Sequence, residues 1–477
     1  MDFITLDLSP RNKFINVIVL SFSFMLMFTG FQTCGMVEQT VLNSFINETK
    51  VNGTSTFKGD GYTSLAILYM VFAFGNWLAP SVVSILGAKY TMVVGGVTYV
   101  LYIATFIQPL TVTLYTASVL IGFGAAILWN GQGTFLTLNS TKETMGRNSG
   151  LFWAVLQTSF LVGNVYVFEA WRGVTQIGDD QRKPLFIGLT AVSLLGVLLL
   201  LALRTKPKVQ NTDDNVVQNY DDLDVLIPRQ SSDIANSRSI EKDTSLRGAL
   251  NAFMISIRLF KTKEMLLLSI TFFYTGLELT FFSGVYTTCV GATKGFGNSD
   301  HLVGLTGIMI GVGEIVGGLI FGIFGKMANK YGRDTIILLG GTVHLVTFFL
   351  VFLNIPDDAP IAEGTELTAY IKPNSDLAVA CGFLLGFSDA CFNTQMYSLI
   401  GSSYPDDSAP AFALFKFQQS LAAAVGFFYS SHLSLKWQLM ILVIFDFFGV
   451  LMFFKVESII RNKEGVVRNP EQNTIDH

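Results

Sequence analysis

The sequence predicts an all-α polytopic membrane protein, with about twelve transmembrane helices arranged as two parallel six-helix repeats. Three observations predict it. First, hydrophobic residues make up 51% of the 477-residue chain and charged residues only 14%, with a mean hydropathy of +0.50. A soluble protein carries nearly twice that share of charge, about 25%. Second, the apolar surplus is gathered into runs of roughly 20 residues, the length that crosses a bilayer as a helix. Third, distant stretches coincide under one constant shift. Trp129-Asn130-Gly131-Gln132 falls on Phe392-Asn393-Thr394-Gln395, Leu151-Phe152 on Leu414-Phe415, Val162-Gly163 on Val425-Gly426, and Tyr166 on Tyr429. An unbroken register over two apolar runs and their connection marks an apolar half written twice.

The runs lie near 14–36, 62–84, 91–109, 112–138, 149–171 and 184–203 in the first half. In the second they lie near 264–290, 302–325, 335–354, 377–401, 409–432 and 437–456. Hydrocarbon supplies no partner for backbone N–H and C=O groups, so each run must satisfy them internally as a helix. The first run is too long for a cleaved signal peptide and lacks a small-residue cleavage site, so it reads as a signal anchor. Residues 1–203 form the first half. Residues 204–244, rich in Asp, Asn, Gln, Ser and Arg, read as a disordered cytosolic linker. Within 245–262, Leu246, Leu250, Phe253, Ile257 and Phe260 recur at helical spacing beside Arg247, Arg258 and Lys261. That pattern predicts an amphipathic helix along the inner membrane surface, though a solvated helix end shows it too. Residues 263–457 form the second half and 458–477 a cytosolic tail. The first helices of the halves also match: Phe28-Thr29-Gly30-Phe31-Gln32 resembles Tyr274-Thr275-Gly276-Leu277-Glu278, and Lys89-Tyr90 echoes Lys330-Tyr331.

With both termini in the cytosol, most of the 31 Lys and Arg residues fall on the cytosolic side, as the positive-inside rule requires. The sequons at Asn47 and Asn52 then lie in the first outer loop, where they can be glycosylated. A third, at Asn139, falls on the cytosolic side and should stay unmodified. Four cysteines, Cys34, Cys289, Cys381 and Cys391, are too sparse for a disulfide framework and read as free thiols in helices. The sequence shows no Walker loop, no metal-ligand spacing, no nucleophile–base motif and no basic patch for nucleic acid. These gaps argue against an enzyme, an ATP-driven pump, a cofactor or a nucleic-acid partner.

Two six-helix halves joined by a long cytosolic loop resemble the major facilitator superfamily. The stretch Gly325-Lys326-Met327-Ala328-Asn329-Lys330-Tyr331-Gly332-Arg333 is similar to the superfamily's loop after the eighth helix, with Asn329 where Asp is usual; the copy around Leu86-Gly87-Ala88-Lys89 is more eroded. The stretches FTGFQT (28–33), GAAILWNGQG (124–133), GRNSGLFWAVLQ (146–157), YTGLELTFFSGVY (274–286) and DSAPAFALFKFQQS (407–420) resemble the Unc-93-like family within it. One departure is Asn130-Gly131, where Thr-Ala is usual. The resemblance implies either a solute carrier or a non-transporting partner of another membrane protein, such as a channel or receptor.

In the major facilitator arrangement, spans one, four, seven and ten line a central cavity. A charge at mid-membrane depth costs about 2.5–3.5 kcal/mol on insertion scales, so such residues face the bundle interior. Gln32, Trp129, Asn130, Gln132, Glu278, Asp389, Phe392, Asn393 and Gln395 are therefore the candidate lining of a solute site. Glu278 is the candidate for proton coupling, since a carboxylate in a partly dry cavity can take a proton near neutral pH; a static structural pairing is the alternative. Glu314 and Lys416 are candidate ion-pair partners. Lys416 stands where the first half has Trp153 and either snorkels to the near membrane surface or meets Asp389. His344 and Asp446 are expected at the periphery.

Glycines spaced four apart in span eight predict close helix packing. In the linker, Tyr220-Asp221-Asp222-Leu223 has the Tyr-x-x-bulky form and Asp222 to Leu226-Ile227 the acidic dileucine form, both read by clathrin adaptors from extended peptide. The function expected is secondary transport of a small solute by alternating access, at the plasma membrane or in endosomes and lysosomes. The alternative is an accessory or trafficking subunit.

Overall fold

A computed structural model describes residues 8–51, 57–141, 144–170, 178–205, 246–297, 299–323, 332–362, 364–404 and 406–468. The sorting residues Tyr220, Asp222, Leu226 and Ile227, the sequon Asn52, and 324–331 of the superfamily-like loop lie outside them. Nearly all of the described chain is helical, and eleven of the described helices are long and apolar enough to cross a membrane.

The first half is built from α1 (Pro10–Val51), α2 (Gly61–Gly75), α3 (Ala79–Ala104), α4 (Thr111–Leu138), α5 (Met145–Ala170) and α6 (Asp179–Leu200). The short α2 explains why eleven helices make twelve crossings. Pro80 cannot donate to the turn before it, so the chain tightens at 76–78 and then continues into α3. The α3 helix itself breaks at Gly87, whose φ of 75° and ψ of 154° reverse the chain. A residue with a Cβ pays heavily for that conformation, so glycine holds the turn. The predicted loop between the second and third runs is thus reduced to one residue. Gly332 (φ 91°) stands in the equivalent place, immediately before span nine.

The second half begins with α7 (Leu246–Phe260) and continues through α8 (Lys263–Thr280), a π turn over Phe281–Val285, and α9 (Tyr286–Ala292), which together make one crossing. It ends with α10 (Ser299–Ile323), α11 (Arg333–Asn354), α12 (Ser375–Ser403), α13 (Ser408–Ser430) and α14 (Leu435–Arg468). The helix pairing repeats. In the first half α1 packs on α5 and α6, α4 on α2 and α3, and α3 on α6; in the second α8 packs on α13 and α14, α12 on α10 and α11, and α11 on α14. The halves join along two equivalent seams, α5 on α10 and α13 on α2. Repeated glycines serve these contacts: a Cβ on Gly163 would strike Thr33 of α1, and one on Gly426 would lie 2.8 Å from the Thr280 hydroxyl of α8.

One face carries the start of α1 and the end of α14. There Asn16 donates to the Asn139 side chain and to the Arg204 carbonyl, each at 2.9 Å. The Asn139 amide in turn donates to the Phe135 carbonyl at 2.8 Å and is buried. On the same face α7 lies across the α3 and α13 ends. Phe253 and Phe260 pack on Trp77, which also meets Phe417 at 5.3 Å. Leu250 and Met254 on its other side are exposed. All four cysteines are free and buried.

Candidate functional site

A cavity of about 100 Å³ lies between the halves, walled by α1, α2, α3, α4 and α5 on one side and by α8, the π turn, α12 and α13 on the other. Helical geometry decides which candidates reach it, because successive residues turn by about 100° and only one per turn faces a given direction. Gln32, Trp129, Asp389 and Asn393 line the cavity. Asn130, one position round from Trp129, and Gln132 are buried away from it, with both amide atoms of each unpartnered among the described residues. Gln395 lies two positions beyond Asn393 on the opposite face and donates to Thr394 Oγ1 at 3.1 Å.

The polar lining is held by side-chain bonds within each half. Gln32 of α1 donates to Gln157 Oε1 of α5 at 3.1 Å and accepts from the Ser159 hydroxyl. Asn393 donates to Asp389 Oδ1 at 2.7 Å, one turn away on α12. Gln419 donates to Thr275 of α8 at 3.2 Å and accepts from Lys416 Nζ at 2.7 Å. Across the seam, Trp153 Nε1 of α5 donates to Glu314 Oε2 of α10 at 2.8 Å. The π turn, a distortion that recurs at functional sites, brings Phe282 and Ser283 to the wall.

Three expectations are corrected. Lys416 does not snorkel: its side chain is 4% exposed and turns inward to the cavity, where Trp129, Phe415 and Tyr397 surround the ammonium at 4.7, 4.6 and 5.4 Å from their ring centres. The apolar run around it offers an aromatic cage nearer than the membrane surface. His344 is not peripheral but fully buried, with Nδ1 2.7 Å from the Tyr274 hydroxyl and 3.1 Å from Glu278 Oε2. Its ring stacks between Phe348 and Phe392. Glu278 and Phe392 accordingly sit behind the cavity wall in this cluster. Asp446, also expected at the periphery, is fully buried against Gly341 of α11.

Sequence reasoning missed two features. Gln157 and Gln419 complete the amide lining; the signal was carboxamides inside these apolar runs, Gln157 with Asn164 in one and Gln419 with Gln418 in the other. Glu38 is fully buried and accepts from the Tyr102 hydroxyl at 2.8 Å, in a chain that continues to Ser64 and Ser118. It escaped notice because the first span was ended at 36, whereas α1 runs on to Val51.

Comparison with known proteins fits this picture. The sequence model described as "UNC-93: Ion channel regulatory protein UNC-93" matches residues 53–454. The chain is 50% identical to the UNC93-like protein MFSD11 of Xenopus laevis, over 94% of this chain and 97% of that one. It is 49% identical to its counterpart in Xenopus tropicalis, over 98% and 100%, and 26% identical to the UNC93-like protein 3 of Arabidopsis thaliana, over 91% and 84%. Among solved structures it resembles the major facilitator proton:xylose symporter XylE bound to 6-bromo-6-deoxy-D-glucose, with a TM-score of 0.64 and 12% identity over 93% of this chain and 96% of that one. It also resembles the transporter FucP in the outward conformation, with a TM-score of 0.56 and 13% identity over 94% and 99%. A duplicated bundle with the major facilitator fold, matched along most of its length by one family model, belongs to the UNC-93 family.

Proposed function

We propose that the protein is a secondary active transporter of a small solute, working by alternating access between its two halves. The observation that carries this reading is the cavity itself: polar groups from both repeats face a shared space bounded by two equivalent seams. On the face with the chain ends the cavity is closed, with Gly133 against the Phe412 ring and Gly401 against Met145. Gln32, Trp129, Asp389 and Asn393 contact the solute, while Asn130, Gln132, Phe392 and Gln395 shape the helices that present them. Glu278 carries the coupling proton. Its carboxylate and the His344 imidazole lie close enough to share one proton, and Asp389 links that pair to the cavity.

Purified protein in liposomes loaded with a pH-sensitive dye tests this against a solute panel. Wild-type protein is expected to move protons inward only when a transported solute is added. Glu278→Gln is expected to abolish the proton signal while solute exchange persists. Proton movement unchanged in the variant would remove Glu278 from coupling.

The second reading is an accessory subunit, favoured by the description of the family model as an ion channel regulatory protein. Stoichiometric co-purification with a channel or receptor, together with no flux for any solute, would support it instead. In either case our reading has both termini in the cytosol, with Asn47 and Asn52 glycosylated on the other side; loss of the glycosidase-sensitive shift in the double Gln variant checks this. Tyr220, Asp222, Leu226 and Ile227 direct adaptor-mediated sorting to endosomes or lysosomes. Leu226→Ala with Ile227→Ala is expected to move the protein to the cell surface, and an unaltered distribution would remove the signal.

A further inference from the structure

We propose that the central cavity is an anion site: its ligand is a small amphipathic carboxylate whose charge sits against Lys416 and whose apolar body lies among Trp129, Trp153, Phe160 and Phe282. This names a substrate class for the site and rests on the transport reading only for movement, not for binding.

The argument starts from an unpaired charge. Lys416 is almost wholly buried, yet among the described residues no carboxylate lies within 4.0 Å of its ammonium. An ammonium has three donors. One is used by Gln419, three ring faces surround the rest, and Asp389 of α12 acts on the charge only from beyond 4.0 Å. Aromatic faces compensate a cation only in part, and a buried charge without a counter-ion is costly. A counter-ion that arrives with the ligand completes this site.

The other charge on the wall is already engaged. Asp389 accepts from Asn393 at 2.7 Å, and Glu278 and Glu314 approach it from behind. Lys416 faces the cavity with donors to spare; Asp389 does so with its partners in place. The remaining polar lining, the Gln32–Gln157 pair, is neutral and suits a second polar group on the ligand. A space of about 100 Å³ is on the scale of one small ring, since an apolar cavity of about 150 Å³ holds benzene.

The test uses full-length protein in nanodiscs of zwitterionic lipid and three probes of matched size: benzoate, benzyl alcohol and benzylamine. Trp129 and Trp153 line the cavity, so tryptophan fluorescence reports occupancy. Benzoate is expected to bind saturably and at least about tenfold more tightly than the alcohol or the amine. Lys416→Met is expected to erase that preference, while Lys416→Arg keeps it, and a single cooperative thermal transition of monodisperse Lys416→Met shows that the protein remains folded. Benzoate binding no tighter than the alcohol, tighter binding of the amine, or an unchanged preference in Lys416→Met would each overturn the proposal. Lys416-dependent benzoate binding with no flux of any solute in liposomes would sink the transport reading and leave the anion site standing. Flux of a cation or neutral solute without carboxylate binding would do the reverse.

Discussion

Lys416 and Trp153 occupy the same register in the two repeats, and both point into the space between them. Duplication fixed the position and divergence set the chemistry: a cation from one half and an indole from the other. The indole has a structural duty as well, because its N–H satisfies Glu314 Oε2 while Oε1 has no hydrogen-bond partner among the described residues. Removing a donor from a buried carboxylate leaves its desolvation uncompensated, at a cost of about 1–3 kcal/mol. Trp153→Phe is therefore expected to lower the melting temperature of the purified protein by that equivalent, and Glu314→Gln, which keeps an acceptor for the indole, by less; equal losses would mean the bond matters little. At this scale the sequence was readable for identity but not for direction. It marked Glu278, Asp389 and Lys416 as intramembrane ionisable groups. It did not show that Glu278 turns towards His344, because a rotation of one position round a helix decides between wall and backing, and span boundaries uncertain by a few residues do not resolve that.

Among the helices, two short elements set the geometry. Gly87 makes spans two and three possible in a chain that has no loop between them. Gly87→Ala forces a Cβ into the left-handed region and is expected to cost about 1–2 kcal/mol, read as a lower unfolding temperature in a thermal scan; an unchanged midpoint would show that the turn relaxes freely. On the far face, Asp357 ties the 355–374 connection to α14. Its backbone carbonyl accepts from Leu435 N and its carboxylate from Lys436 N, both at 2.8 Å, with the Lys436 ammonium 3.0 Å away. Partial burial works against the charged form, but the Lys436 backbone and ammonium, aided by Ser434, outweigh it and hold this carboxyl below its usual value. A depressed carboxylate contributes stability that is complete above the unfolded value, about 4, and is lost only as pH falls through the lower folded one. The tie is therefore expected to hold at pH 5. Asp357→Asn should lose stability equally at pH 7 and pH 5, and a loss confined to pH 7 would contradict the assignment. Helix existence and type were legible in the sequence throughout, because runs of this length and hydropathy have no alternative in hydrocarbon. The Gly87 turn was not, since a glycine in an apolar run looks the same whether it packs or reverses the chain.

Across the whole molecule, the same five helix contacts occur in each half and the same seam occurs twice. That repetition was visible in the sequence as one constant shift through spans four, five, ten and eleven, whereas the expectation of a central cavity came from the resemblance to the major facilitator superfamily. The symmetry also has a mechanical meaning. On the transport reading proposed above, two equivalent seams would let the halves rock as rigid bodies about the site, opening one face as the other closes. Close contacts at Gly133–Phe412 and Gly401–Met145 hold one face shut in the state described, and the α7 helix bridges α3 and α13 on that same side. The most direct measurement is pulsed electron-spin distance analysis on two labelled pairs in lipid: Thr144 with Ser403 on the face of the chain ends, and Asp60 with Ser431 on the far face. Alternating access gives two distances for each pair, with populations that shift in opposite directions when pH or solute is changed. A single distance in both pairs, unmoved by either, would contradict it and leave a static scaffold in place of a transporter.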